Sequence, residues 1–303
     1  MDVQKSRREP HALSLLHSLS TRMNLSTDDE RYYNNLRQGY SGECQFDQMV
    51  SDANINCLVL NDLLLENNHT EIQIDSILIN QGKLYMIEIK NYEGDYYIQV
   101  DRWYSRATNN EIKNPLLQLK RTETVLRQIL QKAKINIEVE ALLVFINPQF
   151  VLYHASPTYP IIFYPQLTRF LKKLSGDHLL AKDKKIVEYL LLQQIPKSRN
   201  VYLPKYSFEQ LKRGIMCPDC GSEFIRKTIT ELACETCGYV ERIDDGIIRA
   251  FQEFRILFPD ETFTTQKFYE FCGGIVSKHS CIRVLKKKVK LVSCSKKSYF
   301  HID

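Results

Sequence analysis

The chain has no run of about 18 consecutive apolar residues, so no membrane-spanning helix is expected. It has no internal repeat and no long low-complexity tract, which sets aside solenoid and fibrous architectures. A secretory leader fits poorly. The opening "MDVQKSRREPHALSLLHSLSTRM" is basic and then leucine-bearing, but His11, Ser14, His17, Ser18 and Ser20 interrupt its apolar part. A disulfide framework is also not expected, because the nine cysteines are an odd count and four of them fall in two C-x2-C pairs. That usage suggests a reducing compartment and metal ligation, and hence a cytoplasmic protein. Acidic residues are missing altogether from Val276 to Ile302.

What is present fits a globular chain of 303 residues, long enough for two or three domains. Apolar residues make up 44% and charged residues 25%. The net charge of +5 is compatible with a polyanionic partner. Residues 1–36 read as a polar, helical N-terminal arm. A helix is expected to open after Gly42, followed by strands at Cys57–Glu66, Glu71–Ile79 and Lys83–Asn91, the last two joined by a Gln81-Gly82 turn. A helix over Asn114–Ala133, with Pro115 in its first turn, and an apolar strand over Val139–Asn147 follow. The order helix, three strands, helix, strand predicts an α/β fold with a central mixed sheet between helices. Further helices are expected near 166–174 and 178–194, with a linker at Pro196–Pro204.

The hairpin "TEIQIDSILINQGKLYMIEIKN" carries Asp75, Glu88 and Lys90 among isoleucines. Unpaired charges are costly to bury. Residues two apart on a strand share a face, so Glu88 and Lys90 project together while Ile87 and Ile89 face an apolar layer. Asp75, on the preceding strand, can approach Glu88, and Glu43 sits on a helix able to pack over the sheet edge. Carboxylates clustered beside a lysine suit metal-assisted hydrolysis: hard divalent cations prefer oxygen ligands, and an ammonium can orient water or offset charge. The plainer alternative is a structural Glu88–Lys90 ion pair, which leaves Asp75 unexplained.

"GYSGE", "IQIDSILI", "MIEIKNYEG", "DRW" and "NPLLQ" occur in this order. Together they resemble the nuclease-related domain (NERD), a branch of the PD-(D/E)xK nucleases, over roughly residues 37–150. The resemblance implies a restriction-endonuclease-like core and a Mg²⁺- or Mn²⁺-dependent phosphodiesterase acting on nucleic acid, most readily DNA. It assigns metal ligation to Glu43, Asp75 and Glu88, the motif lysine to Lys90, and a supporting polar position to Gln118. Two positions depart from the pattern: Ile74 stands where a proline would precede the aspartate, and Ser76 where many relatives place a histidine. The competing expectation is a catalytically inactive nucleic-acid-binding or regulatory protein that retains the fold.

"CPDCGSEFIRKTITELACETCG" places Cys217, Cys220, Cys234 and Cys237 at the spacing of a zinc ribbon, with Gly221 and Gly238 one residue after each pair. A structural Zn²⁺ is expected there. The acid-free tail reads as helix, Gly273-Gly274 turn, second helix and small hairpin, resembling a helix-turn-helix with a wing. Lys278, Arg283, Lys286, Lys287, Lys288 and Lys290 are its candidate phosphate contacts. Cys272, Cys281 and Cys294 with His279 are spaced too irregularly to be read as a second metal site. The expected divisions are 1–36 arm, 37–165 nuclease-like domain, 166–205 helical extension and linker, 213–242 zinc ribbon and 243–303 basic tail.

Overall fold

The computed structural model describes residues 1–174, 179–261, 264–288, 290–294 and 297–301. In chain order the first elements are β1 (Asp2–Lys5), α1 (His11–Arg22), α2 (Thr27–Asp52), β2 (Leu58–Asn67), β3 (Thr70–Asn80) and β4 (Lys83–Lys90). Next come β5 (Gly94–Gln99), β6 (Arg102–Ser105), β7 (Glu111–Ile112), α3 (Pro115–Lys132), β8 (Glu138–Phe145), β9 (Phe150–Tyr153) and β10 (Ile161–Phe163). Helices α4 (Tyr164–Lys173) and α5 (Ala181–Leu192) follow, then β11 (Ile225–Arg226), β12 (Glu231–Ala233) and β13 (Val240–Arg242). The chain closes with α6 (Ile243–Leu257), α7 (Thr265–Phe271), α8 (Lys278–Lys288), β14 (Lys290–Cys294) and β15 (Lys297–His301). It divides into two compact units, Met1–Glu9 with Asn35–Val201, and Pro10–Asn34 with Tyr202–Asp303.

The first unit is built on a mixed sheet in the order β1-β2-β3-β4-β8-β10. Strands β2, β3 and β4 are antiparallel neighbours, whereas β1, β8 and β10 join in parallel. The tight β3–β4 turn uses Gln81 and Gly82, both at positive φ (49° and 76°), the twist that two-residue hairpins favour. One face of the sheet packs on α3 and α5 through residues such as Ile77, Met86, Leu126 and Leu190. The other packs on α2 and α4 through Phe46, Ile87, Ile89, Val144 and Leu167. Ile87 and Ile89 therefore face α2, and Glu88 and Lys90 face the opposite way, as the alternation predicts. Helix α3 starts where expected: Asn114 Oδ1 accepts from the Leu116 N–H at 2.9 Å, with Pro115 in the first turn. A second sheet, β7-β6-β5-β9, continues from the ends of β4 and β8 and packs Trp103 and Phe150 onto Phe145.

Two expectations need correction. The N-terminal arm is not helical from its start: Asp2–Lys5 form β1, added in parallel to β2 as an edge strand. Backbone pairing with an unoccupied sheet edge outweighs the weak helical tendency of a short polar segment. The helix expected to open after Gly42 begins at Thr27 instead, so Gly42 lies inside α2. Its missing side chain has a use there. A Cβ at Gly42 would lie 2.5 Å from Asn91 Cβ, so glycine permits α2 to close on the end of β4.

The second unit places α1, the cysteine-bearing strands β11–β13 and helices α6–α8 around one apolar core. Phe224 and Leu232 of the cysteine segment share that core with Leu19, Ile247, Phe254, Phe268 and Leu285. The expected ribbon and tail are thus packed together rather than being separate small cores. Arg22, fully buried, pins this unit: its guanidinium bonds Glu253 twice at 2.7 Å, donates to the Lys212 and Gly214 carbonyls, and lies 3.8 Å over the Phe271 ring. Removing one partner of such a pair strands a buried charge, at about 3–5 kcal/mol. Arg22→Ala should lower the stability of the second unit by that amount in urea, followed by far-ultraviolet circular dichroism. A change below about 1 kcal/mol would show that Glu253 is solvated without it.

Candidate active site and cysteine cluster

The acidic site forms where the sheet comes apart. Pairing of β2 with β3 runs Asn61↔Ser76 and resumes at Leu63↔Ile74, leaving Asp62 and Asp75 opposite one another but unpaired. Asp62 adopts a left-handed φ of 54°. Side-chain parity slips at the same point: Ile72 and Ile74 lie in the same core as Ile77 and Ile79. On its other side, β3 pairs with β4 only up to Ser76↔Ile87. Beyond that the strands splay, and the Ile89 N–H donates to Asp75 Oδ2 at 2.7 Å in place of a ladder bond. A carboxylate is thereby fixed in the gap between two strands. Burial, together with repulsion from Glu88 and Glu43, pushes the Asp75 pKa well above the usual carboxylate value.

Glu88, 2% exposed, lies across that gap. Lys90 Nζ donates to Glu88 Oε1 at 2.7 Å and to Gln118 Oε1 at 3.2 Å, and the Gln118 amide donates to the same Glu88 oxygen. Burial alone would weaken the Lys90 ammonium, but the Glu88 carboxylate beside it outweighs this, and its pKa is raised. Lys90 is therefore held as a charged donor in the metal-free protein. Helix α2 brings the third acid. Gln38 and Asn91 exchange side-chain-to-backbone hydrogen bonds at 2.7 and 2.9 Å, Gly42 seats against Asn91, and Glu43 follows. Its carboxyl is half-buried, and desolvation raises its pKa despite the opposing pull of Arg7.

Arg7 is a site residue that the sequence reading missed. Its guanidinium donates to Glu43 Oε2 at 2.6 Å, to both oxygens of Asp47 at 2.9 and 3.1 Å, and to the Asp75 carbonyl at 2.8 Å. These partners lie 36 to 68 residues away in sequence, so no local spacing signals the contact.

The five residues expected from the resemblance are thus brought together on α2, β3, β4 and α3. Residues 38–146 match the family model of the nuclease-related domain, NERD. This chain carries a NERD domain. The domain includes all five expected site residues and excludes Arg7. No curated protein matches the chain. A crystal structure titled as a protein of unknown function, AF1548, aligns with 82% of this chain and 95% of its own. That alignment has 11% identity and a TM-score of 0.26, too low to bear on the fold.

The donor set of the NERD domain fits a hard divalent cation. The hydrogen bonds above fall on one oxygen of each carboxylate: Oε1 of Glu88, Oδ2 of Asp75 and Oε2 of Glu43. Each acid keeps a second oxygen to offer, which is what Mg²⁺ or Mn²⁺ prefers. Their atoms are not drawn as close together as the four cysteine sulfurs are, as expected of like charges.

In the second unit, Cys217, Cys220, Cys234 and Cys237 hold their sulfurs within 4.8 Å of one another. The Cys217–Cys237 and Cys220–Cys234 separations are 3.6 and 3.4 Å. The edge of a tetrahedron with metal–sulfur bonds of about 2.3 Å is about 3.8 Å, so the cluster has the dimensions to hold a metal ion such as zinc. Each pair sits on a knuckle: the Gly221 N–H donates to the Cys217 carbonyl and the Gly238 N–H to the Cys234 carbonyl, both glycines at positive φ. Hydrogen bonds from Ser222, side chain and backbone, lower the Cys220 pKa to about 6, whereas, against a backbone hydrogen bond from Tyr239, burial and the neighbouring thiols push Cys237 up to about 12, so the metal-free cluster shares its protons unevenly. Cys272 and Cys281 are both fully buried and hydrogen-bond to each other. The Cys294 side chain lies outside the described residues.

The basic tail has the expected elements: α7, a turn with Gly273 and Gly274 at positive φ, α8 and the β14–β15 hairpin. Its cations are not equally available. Arg283 is paired with Asp244 and Lys278 donates to Gln266 at 2.9 Å, whereas Lys286 and Lys287 are exposed. The side chains of Lys288 and Lys290 lie outside the described residues. Among the described residues, no helix is long and apolar enough to cross a membrane.

Two outcomes follow for the apo protein. The raised Asp75 pKa means that the folded state holds this proton more tightly than the unfolded chain. Its contribution to stability is full below pH 3.9 and is lost as pH rises through the folded value. Asp75→Asn should therefore raise the melting temperature of the metal-free first unit at pH 8, with the gain vanishing toward pH 4. Emission of Trp103, the single tryptophan and a core residue of that unit, reads this out. A zinc-selective chelator should lower the thermal transition seen by circular dichroism and leave the Trp103 transition in place; coincident shifts of both signals would contradict a stabilising metal confined to the second unit.

Proposed function

We propose that the protein is a divalent-metal-dependent nuclease that hydrolyses phosphodiester bonds, most readily in DNA. The observation that carries the reading is the convergence of Glu43, Asp75 and Glu88 beside a charged Lys90 that Gln118 holds in place. In this reading the three acids hold Mg²⁺ or Mn²⁺. Bound there, the cation supplies a water of lowered pKa and offsets charge on the scissile phosphate. Lys90, kept as an ammonium, orients the attacking water and stabilises the oxygen on which negative charge develops. Gln118 shares Glu88 Oε1 with Lys90 and so fixes the direction in which Nζ can point. Glu88 keeps Lys90 charged, and the Ile89 N–H holds Asp75 in the gap between the splayed strands. We assign residues 37–165 to the nuclease-like part and 166–205 to a helical extension with a linker. The Cys217, Cys220, Cys234 and Cys237 cluster over 213–242 takes Zn²⁺ in a structural role. Lys286 and Lys287, within 243–303, are the exposed cations best suited to phosphate contact, and Lys278 and Arg283 would first have to leave Gln266 and Asp244.

One observation favours a second reading, a nucleic-acid-binding or regulatory protein without catalysis. Glu88, Lys90 and Gln118 already satisfy one another, as a purely structural network would. Cleavage assays separate the two. Purified protein with Mg²⁺ or Mn²⁺ should cut a panel of single- and double-stranded nucleic acids, and Asp75→Ala or Lys90→Ala should lower the rate by at least about 100-fold with the fold intact. Variants that cut as well as wild type would remove the nuclease assignment.

A further inference from the structure

The N-terminal strand does more than extend the sheet. It delivers two cations to the place where the ladder breaks. Lys5 Nζ donates to the Asn61 carbonyl at 2.7 Å and to the Asp62 carbonyl, on the β2 side of the break. Arg7, two residues beyond β1, reaches the β3 side, where its Nη2 takes the Asp75 carbonyl that has lost its ladder partner. The remaining Arg7 donors grip one face of α2. Asp47 accepts in bidentate fashion, and Glu43, one turn earlier, gives only Oε2. The guanidinium is 4% exposed, so these bonds are made with little competition from water.

We infer that Arg7 is a positioning residue of the candidate metal site: it locks Glu43 to the broken strand and so presents the second Glu43 oxygen toward Asp75. The inference rests on the metal-dependent reading above. The geometry requires a fork. Only a planar guanidinium spans Glu43, Asp47 and a backbone carbonyl at once; an ammonium supplies the charge without the span. Asp47 serves as the anchor that stops Arg7 from following Glu43 as a simple counter-ion. Acting through Glu43, Arg7 touches no reacting atom.

A positioning role and a mere counter-charge predict opposite signs. Removing a positive charge from an acidic site should tighten cation binding by electrostatics alone. Removing the lock should weaken it, because Glu43 must then be ordered at the expense of binding. The test is titration of the purified full chain with Mn²⁺ by calorimetry, supported by the Mn²⁺-induced shift of the Trp103 melting transition. Arg7→Ala is expected to weaken Mn²⁺ binding at least tenfold. Arg7→Lys, which restores the charge, is expected to bind as weakly as Arg7→Ala, and Asp47→Asn to fall between them and wild type. Trp103 emission without metal checks that each variant is folded, and Asp47→Asn, the mildest change, keeps the test open if Arg7→Ala is not. Unchanged or tighter binding in Arg7→Ala, or full recovery in Arg7→Lys, overturns this inference and leaves the nuclease reading intact. A wild-type chain that takes up no Mn²⁺ at millimolar concentration overturns both.

Discussion

The site depends on one backbone event, the loss of Asp75 from both of its strand ladders. In a continuous sheet the Asp75 N–H and carbonyl would pair with a neighbouring strand, and its side chain would be one more point in the alternation. Here β2 skips Asp62, β4 diverges after Ile87, and the orphaned backbone groups find other partners: the Asp75 carbonyl accepts from Arg7 and the Ile89 N–H donates to the Asp75 carboxylate. Backbone groups that leave a ladder inside a protein must be satisfied elsewhere. That requirement is what recruits the N-terminal strand and fixes the carboxylate in the gap.

The electrostatics follow from that arrangement. Three acids face one gap, and without compensation their mutual repulsion would oppose folding. The fold answers with two cations in different ways. Lys90 sits within the cluster, bonded to Glu88 and steadied by Gln118, with a side chain still 18% exposed at the mouth of the site. Arg7 sits behind it, nearly inaccessible, and serves Glu43 and Asp47. Asp75 receives neither as a direct side-chain partner, and its pKa is the one pushed well above the ordinary value.

The second unit solves a different problem with related means. Its cysteine segment has short strands of two to three residues that could not hold together alone. Thiol geometry closes one end, and Phe224 and Leu232 tie the segment into the helical core at the other. The buried Arg22–Glu253 pair then joins α1 to α6 across that core. A metal would add to a fold that already has apolar support, rather than replace one.

The sequence by itself determined the elements whose signals are local. Alternation placed Glu88 and Lys90 on one face, Asn114-Pro115 started α3, Gln81-Gly82 turned the hairpin, and two C-x2-C pairs announced the cysteine cluster. Motif order was enough to locate Glu43, Asp75 and Gln118 near them. Only the tertiary structure decided how those residues are held. The parity slip at Asp75 is invisible in a string that alternates plausibly through it. That Gly42 lies inside α2 rather than before it follows from packing, since its missing side chain lets the helix close on Asn91. The edge strand β1 exists because β2 offers it unpaired backbone groups. Arg7 could not be read from its neighbours, because a guanidinium finds its acids through the folded sheet and not along the chain. Local chemistry is written in spacing, whereas charge compensation in a buried site is settled by whichever distant segment the fold brings within hydrogen-bonding reach.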